Sequence, residues 1–405
     1  MVAFVAIFLG ILLGAHALLW QRLVASPRWG RPLRLLLTAL FLGGGLSIPL
    51  AFVGRYLSPD ARLWSHAAYV WLGFFFYLLV FLGPAELLRV VVARRARARR
   101  RSEAAKATGA SPGGAVASTR HGEMDLSRRR ALQRLLAGGV AGAAGAVTGF
   151  GLYEVARGVD VARRQVSLRD LPAAFEGFTI VQLTDVHIGA ILKGPWLEAV
   201  VARVNALRPD LIVLTGDLVD GSVPQLERHV APLAKLRAPR GVFCVSGNHE
   251  YYSGVEPWMA HFAYLGITPL RNAHMTLREG EAALTLAGIE DLHASRFPNG
   301  KAPDLDAALA GYNRTEGGPL ILLAHQPKAI HAAARAGVDL QISGHTHGGQ
   351  LVPFNWLVYL DQPYIDGLHR HKDTWIYVSR GTGFWGPPMR VGAPAEITHL
   401  TLTRA

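Results

Sequence analysis

Three stretches within the first 85 residues, 2–20, 35–54 and 63–85, carry no Asp, Glu, Lys or Arg at all. A helix of about 20 apolar residues is what it takes to cross a hydrocarbon layer roughly 30 Å thick. Each charge inside such a span costs a few kcal/mol, so charge-free runs of this length predict three transmembrane helices over residues 1–93, an all-α anchoring region. Pro49 and Pro84 fall near the ends of their segments, where a lost backbone hydrogen bond is tolerable. A fourth charge-free stretch, 135–153, is built largely of Gly, Ala and Val. It follows Ser127-Arg128-Arg129-Arg130-Ala131-Leu132. Residues 131–155 therefore read either as a fourth transmembrane helix packed through small residues or as an internal twin-arginine-like signal.

The formal charge of +13 belongs entirely to this anchor. Residues 1–160 hold 20 Lys and Arg against 7 Asp and Glu, a net of 20 − 7 = +13, and residues 161–405 hold 22 of each sign. Basic residues flanking apolar spans mark the cytoplasmic side of a membrane. The remainder of the chain lacks the basic surface interleaved with aromatics that a nucleic-acid groove needs, so no nucleic-acid partner is expected. Arg22, Arg28, Arg31 and Arg34 in the first loop and the tract from Arg94 to Arg101 both fit the cytoplasmic side. That places the N-terminus outside. Residues 94–130 become a basic cytoplasmic linker, disordered over 102–126 by composition. If the fourth segment crosses, everything from about residue 160 onward lies outside the cytoplasm, most simply on a bacterial inner or cytoplasmic membrane. The single cysteine, Cys244, sits in an apolar run and reads as buried, which excludes an intrachain disulfide and a thiolate metal cage.

From residue 160 to 405 the pattern changes to short apolar runs separated by turn residues and helical stretches. Strands are predicted over 178–183, 211–215, 242–246, 284–288, 320–324, 340–343, 375–379 and 397–402, with helices over 195–207, 223–236 and 328–336. This alternation predicts an α/β domain whose sheets are covered by helices. Its polar residues fall at strand ends: Asp185 and His187 after the first strand, Asp217 after the second, Asn248 and His249 after the third. His325 follows the fifth, and His345 and His347 follow the sixth. In open α/β sheets ligands gather beyond the carboxyl ends of strands. Singly, each of these residues suits a turn, a cap or a packed histidine; jointly, they deliver carboxylates, an amide and imidazoles to one rim.

In order the chain reads Asp185-Val-His187, Gly216-Asp217-Leu-Val-Asp220, Gly247-Asn248-His249-Glu250, Ala324-His325 and Gly344-His345-Thr346-His347. These blocks resemble the calcineurin-like metallophosphoesterase superfamily over about residues 178–402. Gly247-Asn-His-Glu-Tyr-Tyr252, Gly344-His-Thr-His-Gly-Gly-Gln350 and Ser379-Arg-Gly-Thr-Gly383 resemble its membrane-anchored, transmembrane branch. The resemblance implies a two-layered β-sheet core flanked by helices. It also implies two divalent metal ions, one held by Asp185, His187, Asp217 and His347, the other by Asp217, Asn248, His325 and His345. Imidazole, carboxylate and amide donors suit Mn, Fe, Zn or Co. The implied reaction is hydrolysis of a phosphate ester by a hydroxide that bridges the metals, with His249 stabilising the transition state or protonating the leaving group.

Asp220 is expected to orient a histidine of the site, whereas Glu250 has no evident role. Protein phosphatases of the superfamily carry a phosphate-gripping arginine after the second block; here Gly221 and Ser222 follow Asp220. That departure points away from phosphoproteins and toward phosphodiesters, including phospholipid or lipid-linked esters. Arg380 is a candidate substitute contact, and Trp356, Tyr359, Phe384 and Trp385 are candidates for dipping into lipid headgroups. No obligate protein partner is implied. Two other readings remain at this level: a catalytically silent metal-binding scaffold, and a cytoplasmic-facing hydrolase of nucleotide-linked lipid precursors.

Overall fold

In a computed structural model, residues 2–57, 62–107, 118–298 and 300–405 are described. They divide into two units, residues 1–58 with 63–150, and residues 59–62 with 151–405.

The first unit is helical: α1 (Val2–Leu19), α2 (Arg31–Leu57), α3 (Arg62–Ala107) and most of α4 (Ser118–Ala156). Among the described residues, three segments are long and apolar enough to cross a membrane: Arg31–Ala51, Leu63–Arg95 and Arg130–Ala156. Among the described side chains, the first helix registers only as a shorter apolar stretch, Leu9–Ala25. Leu35, Leu36, Leu40, Leu42 and Leu46 point outward from α2, an inside-out arrangement that suits hydrocarbon and not water. Inside, Trp71 fills the notch at Gly44, where a Cβ would lie 2.1 Å from the indole, and donates to His16 Nε2 at 3.2 Å. Two expectations change. Pro49 and Pro84 lie within continuous helices. The linker expected to be disordered over 102–126 is helical at both ends, through Ala107 and again from Ser118, while 108–117 fall outside the described residues.

The second unit pairs two six-stranded sheets. One has the order β1-β12-β2-β3-β4-β5 and the other β10-β11-β9-β8-β7-β6. The first contains β1 (Asp160–Leu168), β2 (Thr179–Leu183), β3 (Leu211–Thr215), β4 (Val242–Val245), β5 (Thr268–Pro269) and β12 (Glu396–Arg404). The second contains β6 (Ala273–Glu279), β7 (Ala282–Gly288), β8 (Leu320–Leu323), β9 (Leu340–Ser343), β10 (Gly367–His371) and β11 (Thr374–Val378). Because side chains alternate along a strand, each central strand serves two cores. Ile180, Leu211, Val213 and Phe243 meet Leu284, Leu286, Ile321, Leu340 and Ile342 between the sheets. Val181, Leu183, Ile212 and Leu214 face the other way, onto α5 (Gly194–Ala206) through Leu197, Val200, Val201 and Val204 and onto the helix Val223–Val230. Ile330 and Ala333 cover the outer face of the second sheet. Burial on both faces explains why these strands read as continuous apolar runs. The sequence reading missed β1, β5, β6 and β10, which lie at or beside sheet edges; β1, β6 and β10 carry exposed polar residues that break such a run.

Strands β2, β3, β4 and β5 run parallel, as do β7, β8, β9 and β11. Gln182 near the end of β2 joins the two sheets, donating to Thr215 Oγ1 at 2.6 Å and to the Ser343 carbonyl at 2.9 Å. The carboxyl ends of β2, β3 and β9 therefore meet, and the loops after them share one rim.

Candidate metal centre

The first polar residues past these strand ends converge. Asp185 accepts from the His345 amide at 2.9 Å and from Thr184 Oγ1 at 2.8 Å, which locks the β2 loop to the β9 loop. His187 Nε2 and His347 Nε2 stand 3.1 Å apart, with Asp185 Oδ1 3.4 Å from His347 Nε2. On the other side, His325 Nε2 lies 3.2 Å from His345 Nδ1 and 3.2 Å from Asp217 Oδ2. Asp217 Oδ2 is also 4.0 Å from His187 Nε2, so this carboxylate stands between the two groups. Asp185 with His187 and His347, and Asp217 with His325 and His345, are clusters that can each hold a metal ion.

The donor atoms fit cations. Two nitrogens on one ion at 2.0–2.1 Å are separated by about 2.9–3.4 Å for angles between square and tetrahedral, and the two imidazole pairs fall in that range. Asn248 Oδ1 is buried without a hydrogen-bond partner, an acceptor left for an ion. Burial, helped by the neighbouring His325, holds His345 down at about 3, and burial with His187 and Arg390 holds His347 well below its usual value. Both are therefore neutral ligands in waiting. Burial opposes charge on His325 too, but Asp217, Asp185 and Asp291 outweigh it and raise the group well above its ordinary value, while Nδ1 meets the Thr215 carbonyl at 2.7 Å. Burial likewise opposes charge on Asp217, where His325 and His249 prevail and hold the carboxyl well below the usual range.

The backbone is committed to this geometry. Asp185, His187, Asp217, His345 and His347 all take φ between 51° and 71°, a left-handed region that costs residues with a Cβ about 1–3 kcal/mol each. Gly247 permits the approach of the β3 and β4 loops, since a Cβ there would stand 2.2 Å from Asp217 Oδ1.

His249 sits beside the clusters with its amide on Asp217 Oδ1 at 2.8 Å and Nδ1 2.5 Å from Asp220 Oδ1. The other Asp220 oxygen lies 3.3 Å from His187 Nδ1, so one carboxylate orients two histidines. Burial opposes charge on His249, but Asp217 and Asp220 outweigh it and raise the imidazole to about 9. Tyr252 and Trp385 flank its ring at 5.3 and 5.9 Å.

Three residues take places that the sequence did not suggest. Glu250 is fully buried and accepts from the amides of Asp217 at 2.9 Å, Leu218 at 2.7 Å and Gly247 at 2.7 Å, joining the β3 and β4 loops. Arg390, also buried, donates to the carbonyls of His347, Arg380, Gly381, Gly383 and Ala393 and touches His347 Nδ1 at 3.2 Å. Glu396 claims Arg380, the candidate phosphate contact, through Nε at 2.7 Å and Nη2 at 2.6 Å; that expectation is corrected. Phe384 is also corrected: it is buried in the core, whereas Trp356, Tyr359 and Trp385 are exposed.

The profile of the calcineurin-like phosphoesterase family matches residues 178–349. An uncharacterized metallophosphoesterase of Helicobacter pylori is 43% identical over 225 residues, covering 55% of this chain and 59% of that protein. A bovine transmembrane protein with metallophosphoesterase domain is 39% identical over 295 residues, covering 70% of this chain and 65% of its own length. The Bacillus subtilis metallophosphoesterase YkuE is 33% identical over 289 residues, 68% of this chain and 98% of that protein. The chain thus spans about six-tenths of the Helicobacter relative and nearly all of the Bacillus one. A double-sheet α/β fold with a carboxylate–imidazole rim is the frame of a metal-dependent hydrolase. The chain belongs to the calcineurin-like metallophosphoesterases.

Proposed function

We propose that this protein is a membrane-anchored phosphoesterase using two divalent metal ions, and that its substrates are phosphodiesters presented at the bilayer. Asp185, His187, Asp217 and His347 would hold one ion, and Asp217, Asn248, His325 and His345 the other, with manganese, iron, zinc or cobalt suited to these donors. Two such ions supply Lewis acidity and acidify water near a phosphoryl group. The observation that carries the reading is the pair of imidazole contacts at 3.1 and 3.2 Å on either side of one carboxylate, Asp217.

His249 is the proton donor to the leaving oxygen. It is partly open to solvent at the edge of the clusters, and Asp220 holds its ring and its charge. In the metal-free protein the imidazole, raised to about 9, is protonated at neutral pH, the form that can donate to a leaving oxygen. Tyr252 and Trp385 narrow the approach to that ring. The absence of an arginine after Asp220 and the engagement of Arg380 with Glu396 favour a diester, which carries less charge than a phosphoprotein monoester.

The test is metal analysis of the purified full-length protein with turnover of bis(p-nitrophenyl) phosphate, p-nitrophenyl phosphate and a phospholipid. Two equivalents of metal and a preference for diesters are expected. Metal-loaded protein that cleaves none of these would overturn the proposal. On this reading the catalytic unit works outside the cytoplasm, as the basic tracts at Arg22–Arg34 and Arg94–Arg101 favour; reporter fusions after residue 160 check this, and a reporter active only in the cytoplasm would reverse it.

A further inference from the structure

Past the His347 turn the chain makes a loop, residues 351–360, with one helical turn at Asn355–Val358, that inverts the usual rule of burial. Trp356 is 70% exposed, Leu357 57%, Tyr359 54% and Leu360 83%. Four large apolar side chains in five residues form a patch of the kind that marks an interaction surface.

The base of this loop is fixed. Gly349 packs against Asn355 so closely that a Cβ would stand 2.4 Å from the Asn355 Cα. At the far end, Asp361 pairs with Lys328, and the Gln362 side chain accepts from the Lys328 amide at 3.2 Å. The base also binds the segment 389–392: the Val352 amide donates to the Val391 carbonyl at 3.0 Å, and the Val391 amide to the Gln350 carbonyl at 2.9 Å.

That same segment meets the end of the apolar helix α4. The Arg390 amide donates to the Gly151 carbonyl at 3.1 Å, and Gly151 faces Met389 and Val391 without room for a Cβ. Gly151 lies within Arg130–Ala156, one of the segments able to cross a membrane. Within this unit, the end of α4 from Gly151 onward and the root of the exposed loop are therefore bonded to one short piece of backbone. Gln350 completes the connection to the site, its amide bonding the Trp385 carbonyl at 2.9 Å and accepting from the Trp385 amide at 3.0 Å, with the Trp385 ring beside His249.

We propose that residues 356–360 insert into the bilayer in which α4 ends, so that the metal centre takes its phosphate ester from a lipid at that surface. The occupant of the patch is the lipid boundary itself. Aromatic and leucine side chains suit the headgroup–acyl region, to a depth of about 5–10 Å. The docking half of this inference stands on the loop and helix alone; the substrate half rests on the phosphoesterase reading.

The experiment uses the full-length protein in vesicles of phosphatidylethanolamine and phosphatidylglycerol. Cys244 is buried, so a nitroxide can be directed to Leu357→Cys or Leu360→Cys, with Asp373→Cys, 91% exposed, as the reference. The loop labels should collide with dissolved oxygen and be shielded from a water-soluble nickel chelate, with the reference label behaving oppositely. Loop labels as open to nickel as the reference, as in water, or shielded from oxygen as well as nickel, as beneath a protein partner, would overturn docking. The variant Trp356→Ser/Leu357→Ser/Leu360→Ser should lose about tenfold in cleavage of a bilayer-embedded phosphodiester and keep soluble bis(p-nitrophenyl) phosphate turnover within about twofold. Equal effects on the two substrates would overturn the role in substrate capture. If the parent protein cleaves neither ester, the phosphoesterase reading fails and the capture role with it, while label depth still decides docking.

Discussion

Glu250→Gln isolates a residue that offers no donor atom to either cluster and yet joins the loops that carry them. One carboxylate oxygen accepts from the amides of Asp217 and Gly247, the other from Leu218. Burial and the nearby Asp217 push the Glu250 carboxyl up, opposed by the amides of Gly247, Leu218 and Asp217. Those three donors favour the ionised form. Glutamine keeps the shape and one accepting oxygen. With that oxygen on the Asp217 and Gly247 amides, its NH2 meets the Leu218 N–H at 2.7 Å, donor against donor. A buried donor left unpaired costs about 1–3 kcal/mol, and each surviving bond weakens by about 1 kcal/mol as its acceptor loses charge.

Relief of the buried carboxylate's desolvation returns part of this, leaving a net loss of about 2–4 kcal/mol. For a unit of this size that is a drop of about 4–16 °C in melting temperature. The site should suffer more selectively. Asp217 follows one of the loosened loops and Asn248 the other, so affinity for the second ion should fall about 10–100-fold, the usual effect of removing a support behind a ligand. Thermal melting of the detergent-solubilised protein with and without zinc, together with metal titration of the chelated protein, reads both quantities. Glu250→Gln with a parental melting temperature and two parental metal affinities would refute the reasoning.

Asp217→Ala should leave the purified protein with background metal and no measurable diester turnover, because one carboxylate faces both clusters; two retained equivalents of metal would contradict this. His249→Ala should retain metal and lose about 10²–10⁴-fold in turnover, and normal turnover would contradict its role. Because its folded value is raised to about 9, protonated His249 stabilises the metal-free protein fully below about 6.5, the ordinary imidazole value, and the contribution is lost as pH rises through about 9. Bound cations repel that proton, so zinc should lower the His249 titration followed by NMR; an unchanged midpoint would argue against ions beside it. Arg390→Lys replaces a five-donor fork by three donors among five carbonyls, which predicts about 2–5 kcal/mol of destabilisation measured by melting. Wild-type stability would mean that water replaces the guanidinium.

The seven proposed ligands and His249 were legible because two local signals coincide at them: an apolar run that ends, and a polar residue of ligand type just beyond it. The central strands were legible for a related reason, since burial on both faces demands continuous apolar residues. Residues whose role depends on distant backbone left no such trace. Glu250 resembles an acid in the first turn of a helix, and its Asp217 and Leu218 partners lie 33 and 32 positions away. Arg390 is an isolated basic residue in a Gly- and Pro-rich stretch until two loops turn five carbonyls toward it. The left-handed φ of Asp185 or His347 leaves no decisive sequence signature either, because aspartate and histidine, though enriched in that region, take the right-handed or extended ones far more often. Aromatic loop residues expose the same limit from the other side. Phe384 and Trp385 are neighbours of similar hydrophobicity, yet the first closes the core against the β2 loop and the second stands over His249. Hydrophobicity fixes what a side chain gains by leaving water; the turn made by Gly381 and Gly383 decides whether protein is there to receive it. The same reasoning makes residues 356–360 informative: apolar side chains held outward on a rigid base gain from a receiving surface beyond this domain, and the helix bonded to that base is long and apolar enough to cross a membrane.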